Sequence, residues 1–199
     1  MPVRRDDLTE FHYIAHVDNI RSILAIGIVC HNRSNTLTAV SVASADVQSR
    51  RSKKSVPRGL PLHDYANLYF TARNPMLYVL GGLHEDLVVL RVDTLVLDLP
   101  NVVIADGNAA SDPTAFYPSP GGLANLDGEL IFAEDWRDVD VFGYWHKKRV
   151  KCAEVLVPKA VPREYITGGY VASPQAEARF VALHANLPVQ VNPHLFFRG

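Results

Sequence analysis

The stretch Lys147-Lys148-Arg149-Val150-Lys151-Cys152-Ala153-Glu154-Val155-Leu156-Val157-Pro158 sets a single acid between a basic run and an apolar segment. Aliphatic residues from Val155 to Val157, closed by Pro158, read as a buried strand covering Ala153–Val157. A carboxylate at the head of a buried strand is costly to desolvate unless a partner or a ligand uses it. Glu154 is therefore the first candidate for chemistry. The competing reading is a rim acid paired with Lys147 or Lys151.

Working outward, Phe11 to Ala15 reads as a short strand. Asp18 or Asn19 then reads as an N-cap, with Ile20, Ile23 and Leu24 at helical spacing and Gly27 as the stop. Val40 to Lys54 carries Val40, Ala43 and Val47 on one face and reads as a helix. Leu68 to Thr71 reads as a strand, and Asn74-Pro75-Met76-Leu77-Tyr78 opens a helix with proline in its first turn. Strands are expected at Asp86–Val92, Leu95–Leu99, Val102–Ala105, Tyr165–Tyr170 and Val189–Val191, with a helix near Gln175–Ala185. Asp106 to Val150 is the least regular stretch, helical only around Leu130–Asp138, and such stretches inside a domain are usually functional or mobile. Strands dominate without regular βαβ alternation, which predicts an α+β fold and argues against a Rossmann fold.

The chain has 199 residues, 48% hydrophobic and 21% charged, with a net charge of −1. One domain over 1–199 with a true core is expected from that size. Overall charge does not mark a nucleic-acid binder, but its distribution points that way. Arg50 to Arg58 holds five basic residues and no acid, and His146 to Lys151 holds four Lys/Arg. Two such clusters on a neutral protein suggest a phosphate-facing surface, the alternative being solvated charge. Two cysteines are too few for a disulfide scaffold and fit a reducing cytoplasm. No apolar run is long enough to span a membrane.

Common motifs are missing: there is no Gly-x-Gly-x-x-Gly, no Walker loop and no His-Glu-x-x-His. The eight histidines lack metal-ligand spacing, and no metal is expected. Four features besides the bulk pattern remain. His12-Tyr13-Ile14-Ala15-His16 leads into the first helix, with His31-Asn32 beyond its end, and polar groups so placed can bracket a small ligand. Gln48-Ser49-Arg50-Arg51 brings guanidinium groups suited to a pyrophosphate. Leu62-His63-Asp64-Tyr65-Ala66-Asn67-Leu68-Tyr69-Phe70 is aromatic and polar together, as a stacking wall requires. Glu154 is the fourth.

In order along the chain, these features resemble the DarT family of DNA ADP-ribosyltransferases, the toxin half of bacterial toxin–antitoxin pairs. The resemblance rests on Ile14-Ala15-His16-Val17-Asp18-Asn19-Ile20, Gln48-Ser49-Arg50-Arg51 and Leu62-His63-Asp64-Tyr65. It continues through Tyr69-Phe70-Thr71-Ala72-Arg73-Asn74-Pro75-Met76-Leu77-Tyr78 and Lys148 to Val155, and so covers most of the chain. It implies an ADP-ribosyltransferase-like split β-sandwich with interspersed helices and NAD, as substrate, in the cleft. It also implies transfer of ADP-ribose to a base in single-stranded DNA and a cognate ADP-ribosyl hydrolase as antitoxin.

By the same resemblance Glu154 is the catalytic glutamate and Arg51 lies in the catalytic centre. Tyr69 packs on nicotinamide, while Tyr13, Ala15, His16, His31 and Asn32 fall in the nucleotide-binding region. Here the chain departs from the family, which usually shows His-x-Thr-His where this sequence has Tyr13-Ile14-Ala15-His16. The irregular stretch from Asp106 matches the substrate-recognition loop, and its wording looks more like the guanine-modifying than the thymine-modifying branch. Candidate DNA contacts are Arg50, Lys53, Lys54, Met76, Asn108, Ser111, Phe116, Tyr117, Trp145, Lys147 and Lys148, from stacking and phosphate attraction. Two other readings are an RNA-directed transferase of the same fold and a catalytically silent nucleic-acid-binding module, the latter favoured only by Tyr13 and Ala15.

Overall fold

The computed structural model describes residues 1–198 and opens with β1 (Phe11–His16), α1 (Ile20–Ile26), β2 (Ile28–Val29), α2 (His31–Ser34) and α3 (Ala45–Arg51). Next come β3 (Tyr65–Tyr69), α4 (Pro75–Val79), β4 (Leu87–Val92), β5 (Val103–Ala105), β6 (Phe116–Pro118) and α5 (Gly128–Phe132). The chain closes with α6 (Val141–Val150), β7 (Glu154–Pro158), β8 (Ala160–Val161), β9 (Ile166–Val171), α7 (Pro174–Val181) and β10 (Val189–Val191). Eight strands form one sheet in the order β10-β9-β4-β1-β3-β7-β5-β6, and β2 pairs with β8 apart from it. Only β10 beside β9 is parallel within that sheet. The mixture is α+β, as the absence of regular crossovers predicts.

The centre of the sheet positions the site. β1 pairs with β4 along its whole length, but meets β3 at one residue pair only, His12 with Tyr69. Beyond that pair the sheet parts into two four-stranded halves, and the parting opens a cleft. Side chains alternate across a strand. Ala153, Val155 and Val157 accordingly join the main core, while Leu156 packs with Val56, Leu62 and Tyr65 on the other face. Glu154 shares the face of Leu156 at the strand's first position.

Local chemistry sets the element ends. The Asn74 side chain accepts from the Met76 and Leu77 amides, and Pro75 follows it as the first helical residue of α4. Ser173 caps α7 in the same way. Gly27 closes α1 with φ +84, and a Cβ there would lie 2.3 Å from the Val161 carbonyl oxygen, so only glycine fits.

Several sequence expectations are corrected. Leu95–Leu99 is no strand: Asp93 accepts the Leu95 amide at 2.8 Å and starts a 3₁₀ turn over Thr94–Asp98. Such local side-chain bonding competes with a sheet ladder. The helix expected over Val40–Lys54 shrinks to α3, and Asn19 instead holds Val40, outside any helix, by both backbone groups (2.8 and 2.9 Å). Asn19 makes no side-chain cap, nor does Asp18; His16 Nδ1 accepts the Asp18 amide instead. Helix around Leu130–Asp138 stops at Phe132, where Asp135 and Asp138 bond forward to the Arg137 and Asp140 amides. Val141–Val150, read as irregular, is a ten-residue helix capped by Asp140.

Beside β1, Glu10 accepts from His12, Arg91 and Tyr170. Burial pushes its carboxyl upward, but these three bonds outweigh burial and hold it at about 2. Its folded value lies below the ordinary 4.5, so the unfolded chain binds more protons between the two. The stability it contributes is complete above about pH 4.5 and is lost as pH falls towards 2. Urea unfolding between pH 5 and 2 is expected to show this fall, and a Glu10→Gln variant to flatten it; equal slopes in the two proteins would refute the assignment.

Candidate active site

The parted sheet encloses a cleft of about 880 Å³. Its walls come from β1 (Tyr13, Ala15), β3 (Tyr65, Tyr69), α3 (Gln48, Arg51) and the head of β7, where Glu154 stands. Glu154 is 1% exposed and Arg51 5%. Arg51 Nη1 donates to both carboxylate oxygens, 2.9 Å to Oε2 and 3.2 Å to Oε1. The Ala109 amide donates to Oε1 at 2.9 Å. A buried ion pair survives only with such close geometry and added hydrogen bonds.

Three buried side-chain atoms around this pair have no partner among the described residues: Arg51 Nη2, Gln48 Oε1 and His63 Nε2. Each unmet atom costs roughly 1–3 kcal/mol unless something polar arrives to satisfy it. A free guanidinium donor, an amide oxygen and a ring nitrogen suit the phosphate and ribose oxygens of a dinucleotide. The rings of His31 and His63 lie 4.1 Å apart between centroids. Burial lowers both pKa values; for His31 the next causes are His63 and Arg51, and for His63 the next is Arg51. Lowered pKa values favour neutral imidazoles, which add no like charge beside Arg51, whose own charge faces Glu154.

Tyr69 turns its hydroxyl to Met76 Sδ at 3.1 Å. Burial, then the Glu154 charge, hold it well above the usual phenol range, so it stays a neutral aromatic wall. Tyr13 is likewise pushed up by burial. Cys152 packs in the same cluster as Tyr69 at the cleft lining, and burial and Glu154 push its thiol up to about 12. It is a packing group, not a nucleophile.

Of the residues singled out in the sequence, Tyr13, Ala15, His31, Arg50, Arg51, Tyr69, Met76, Asn108, Ser111, Trp145, Lys148 and Glu154 line this cleft. Lys53 and Lys54 line an adjoining recess of about 530 Å³ with Arg50, Ser111 and Trp145, and Lys54 pairs with Asp112. Trp145 is 59% exposed, with Lys148 Nζ 4.9 Å from its ring centroid. The others stand apart from the cleft lining. His16 caps the turn after β1, Asn32 bonds Asp64, and Lys147 pairs with Asp138. Phe116 packs against the Val56–Leu62–Tyr65 cluster, and Tyr117 abuts Gly122. Lys151, part of the basic run, donates to the Ile131 and Ala133 carbonyls, and burial lowers it to about 8.

Two features escaped sequence reasoning. The Ala109 contact is made by a backbone amide, on which residue identity is silent. His63 lies within the aromatic and polar stretch Leu62–Phe70, but nothing in the sequence pairs it with His31.

Residues 12–197 match the family model described as "ssDNA thymidine ADP-ribosyltransferase, DarT". A DNA ADP-ribosyl transferase–DNA ADP-ribosyl glycohydrolase fusion protein of Thermosipho africanus is 32% identical over 94% of the chain, which spans 49% of that fusion. A DNA ADP-ribosyl transferase of Thermus sp. is 31% identical over 96% of the chain and 94% of its own length. The solved structure of the Thermus protein with ADP-ribosylated ssDNA superposes with a TM-score of 0.82, at 28% identity over 98% of this chain and 99% of that one. That of the Thermosipho protein with ADP-ribose gives 0.83 at 30% identity, over 96% of this chain and 52% of that one. With the buried Arg51–Glu154 pair at the mouth of a parted sheet, these matches place the chain in the DarT family of DNA ADP-ribosyltransferases.

Proposed function

We propose that the protein cleaves NAD and transfers its ADP-ribose to a guanine base in single-stranded DNA. The observation that carries this reading is the buried Arg51–Glu154 pair in the cleft lining, with the unpartnered Arg51 Nη2 and Gln48 Oε1 on residues of the same lining. The bond between ribose C1′ and the nicotinamide nitrogen breaks, and its electron pair leaves with nicotinamide, cancelling that ring's positive charge. Positive charge builds on the ribose, and a fixed carboxylate at Glu154 stabilises it. A base nitrogen supplies the pair for the new bond to C1′ and gives up a proton, for which Glu154 is the acceptor in reach of the cleft. Arg51, charged at every physiological pH, holds Glu154 and offers Nη2 to the substrate.

DNA would enter past the recess lined by Arg50, Lys53, Lys54 and Trp145, with Trp145 as a stacking surface. The guanine assignment rests on the wording of the loop from Asp106, which sets Asn108 and Ser111 in the cleft lining. The family model is described for thymidine, so the two bases are the arms of the test. A fused glycohydrolase in the Thermosipho relative supports a toxin opposed by a hydrolase antitoxin. Among the described residues no helix is long and apolar enough to cross a membrane.

Labelled NAD and oligonucleotides carrying one reactive base type decide the matter. The expected result is label on guanine-bearing single strands, with one nicotinamide released per label. Label on thymine strands alone moves the base assignment, and label on RNA alone moves the substrate class. No label on any nucleic acid refutes transfer.

A further inference from the structure

Asp106 follows Ala105, the β5 residue paired with Glu154. Its Oδ1 accepts from the Ala115 amide at 3.0 Å and from Arg149 Nη1 at 2.6 Å, closing the mouth of the loop 106–115. Arg149 Nη1 also reaches Thr114 Oγ1 at 3.3 Å, and that hydroxyl donates to the Asn108 carbonyl at 2.7 Å. The Arg149 carbonyl accepts the Asn108 amide at 3.0 Å. Gly107 lies flat on this arginine: a Cβ there would sit 2.6 Å from Nη1, 2.9 Å from Cγ and 3.0 Å from the carbonyl oxygen. The loop is thus wrapped on one residue at the end of α6, gripped by its guanidinium and by its backbone. What the wrapped loop presents inward is the Ala109 amide, on Glu154 Oε1.

We infer that Arg149, with Asp106, is a positioning residue that holds the Ala109 N–H on Glu154 and the base-facing residues Asn108 and Ser111 at the cleft. Its place in a basic run and in the lining of both the cleft and the recess suggests a phosphate contact, but its Nη1 is bonded to Asp106, itself part-buried. The inference deepens the transferase reading above and rests on it for its kinetic arm. Small displacements of a reacting group are costly, about 10²-fold for roughly 1 Å.

The test compares Asp106→Asn, Arg149→Gln and their double variant, with Gly107→Ala displacing the guanidinium while keeping every charge. Each is expected to lower kcat about 10- to 100-fold with KM for NAD little changed, and the double variant to lose no more than either single one. The salt dependence of oligonucleotide binding should keep its slope in all of them, whereas a lost phosphate contact would lower it by about 0.7. Hydrogen exchange supplies a readout that needs no activity: the Ala109 amide, protected in the parent, should exchange faster in all three single variants while β4 and β9 stay protected. Should Arg149→Gln fold poorly, Asp106→Asn and Gly107→Ala carry the same comparison. A reduced salt slope for Arg149→Gln with parental kcat for Asp106→Asn, or unchanged Ala109 exchange, overturns the inference. A parent protein that labels no nucleic acid refutes the transferase reading alone, and the exchange arm still decides the positioning.

Discussion

Glu154→Gln is expected to slow nicotinamide release and DNA labelling roughly 10³-fold, while oligonucleotide binding persists. The substitution keeps the shape and an acceptor for the Ala109 amide, but removes the negative charge proposed to stabilise the ribose as nicotinamide leaves. The effect should fall on kcat more than on KM, since the lost interaction is made mainly in the transition state. Single-turnover labelling with saturating NAD measures it. Activity within tenfold of the parent would remove Glu154 from the catalytic role. Because the change also strands Arg51 in a buried site, urea unfolding must accompany the kinetics.

Arg51→Ala is expected to cost about 3–5 kcal/mol of stability at neutral pH, because it leaves the Glu154 carboxylate buried with only the Ala109 amide to donate to it among the described residues. Labelling activity should be lost as well, since Arg51 lines the cleft and its Nη2 is a donor without a protein partner among the described residues. The double variant Arg51→Met with Glu154→Leu is expected to recover most of that stability and none of the activity. Apolar replacements of a buried pair are often neutral or stabilising, whereas half a pair is not. Chemical denaturation of the single and double variants provides the comparison. A double variant as unstable as Arg51→Ala would mean that the pair is structural, and would contradict the view that the protein carries it for chemistry.

The α+β class was legible because hydrophobic alternation and turn residues act locally. Asn74-Pro75 announces α4 through a cap and a fixed φ, and the aliphatic run after Glu154 announces β7. Elements failed to follow the sequence where a distant or competing bond decided. Val40 stays out of the helix, where Asn19 grips it from 21 residues away. Leu95–Leu99 curls because Asp93 bonds forward before a neighbouring strand can pair. The helix at Val141–Val150 went unread because a run of charges masks it, although Asp140 is an ordinary cap.

At the site, Glu154 stood out as an acid in a place where burial is expensive, and the resemblance assigned it and Arg51, 103 residues apart, to one catalytic centre. Charge and residue type at those positions belong to the sequence alone, as does the apolar strand that carries Glu154 inward. Three things required the tertiary structure. The sheet parts because β1 and β3 share a single residue pair, and that parting makes the cleft. His16, Asn32 and Lys147 spend their polar groups on neighbours, while Arg50 and Trp145 face the cleft. Arg149 turns from an expected surface charge into the post around which a loop is wound. The physical reason is common to all three. A side chain's chemistry is intrinsic, but whether it is available to a ligand depends on which partners the fold brings within hydrogen-bond reach.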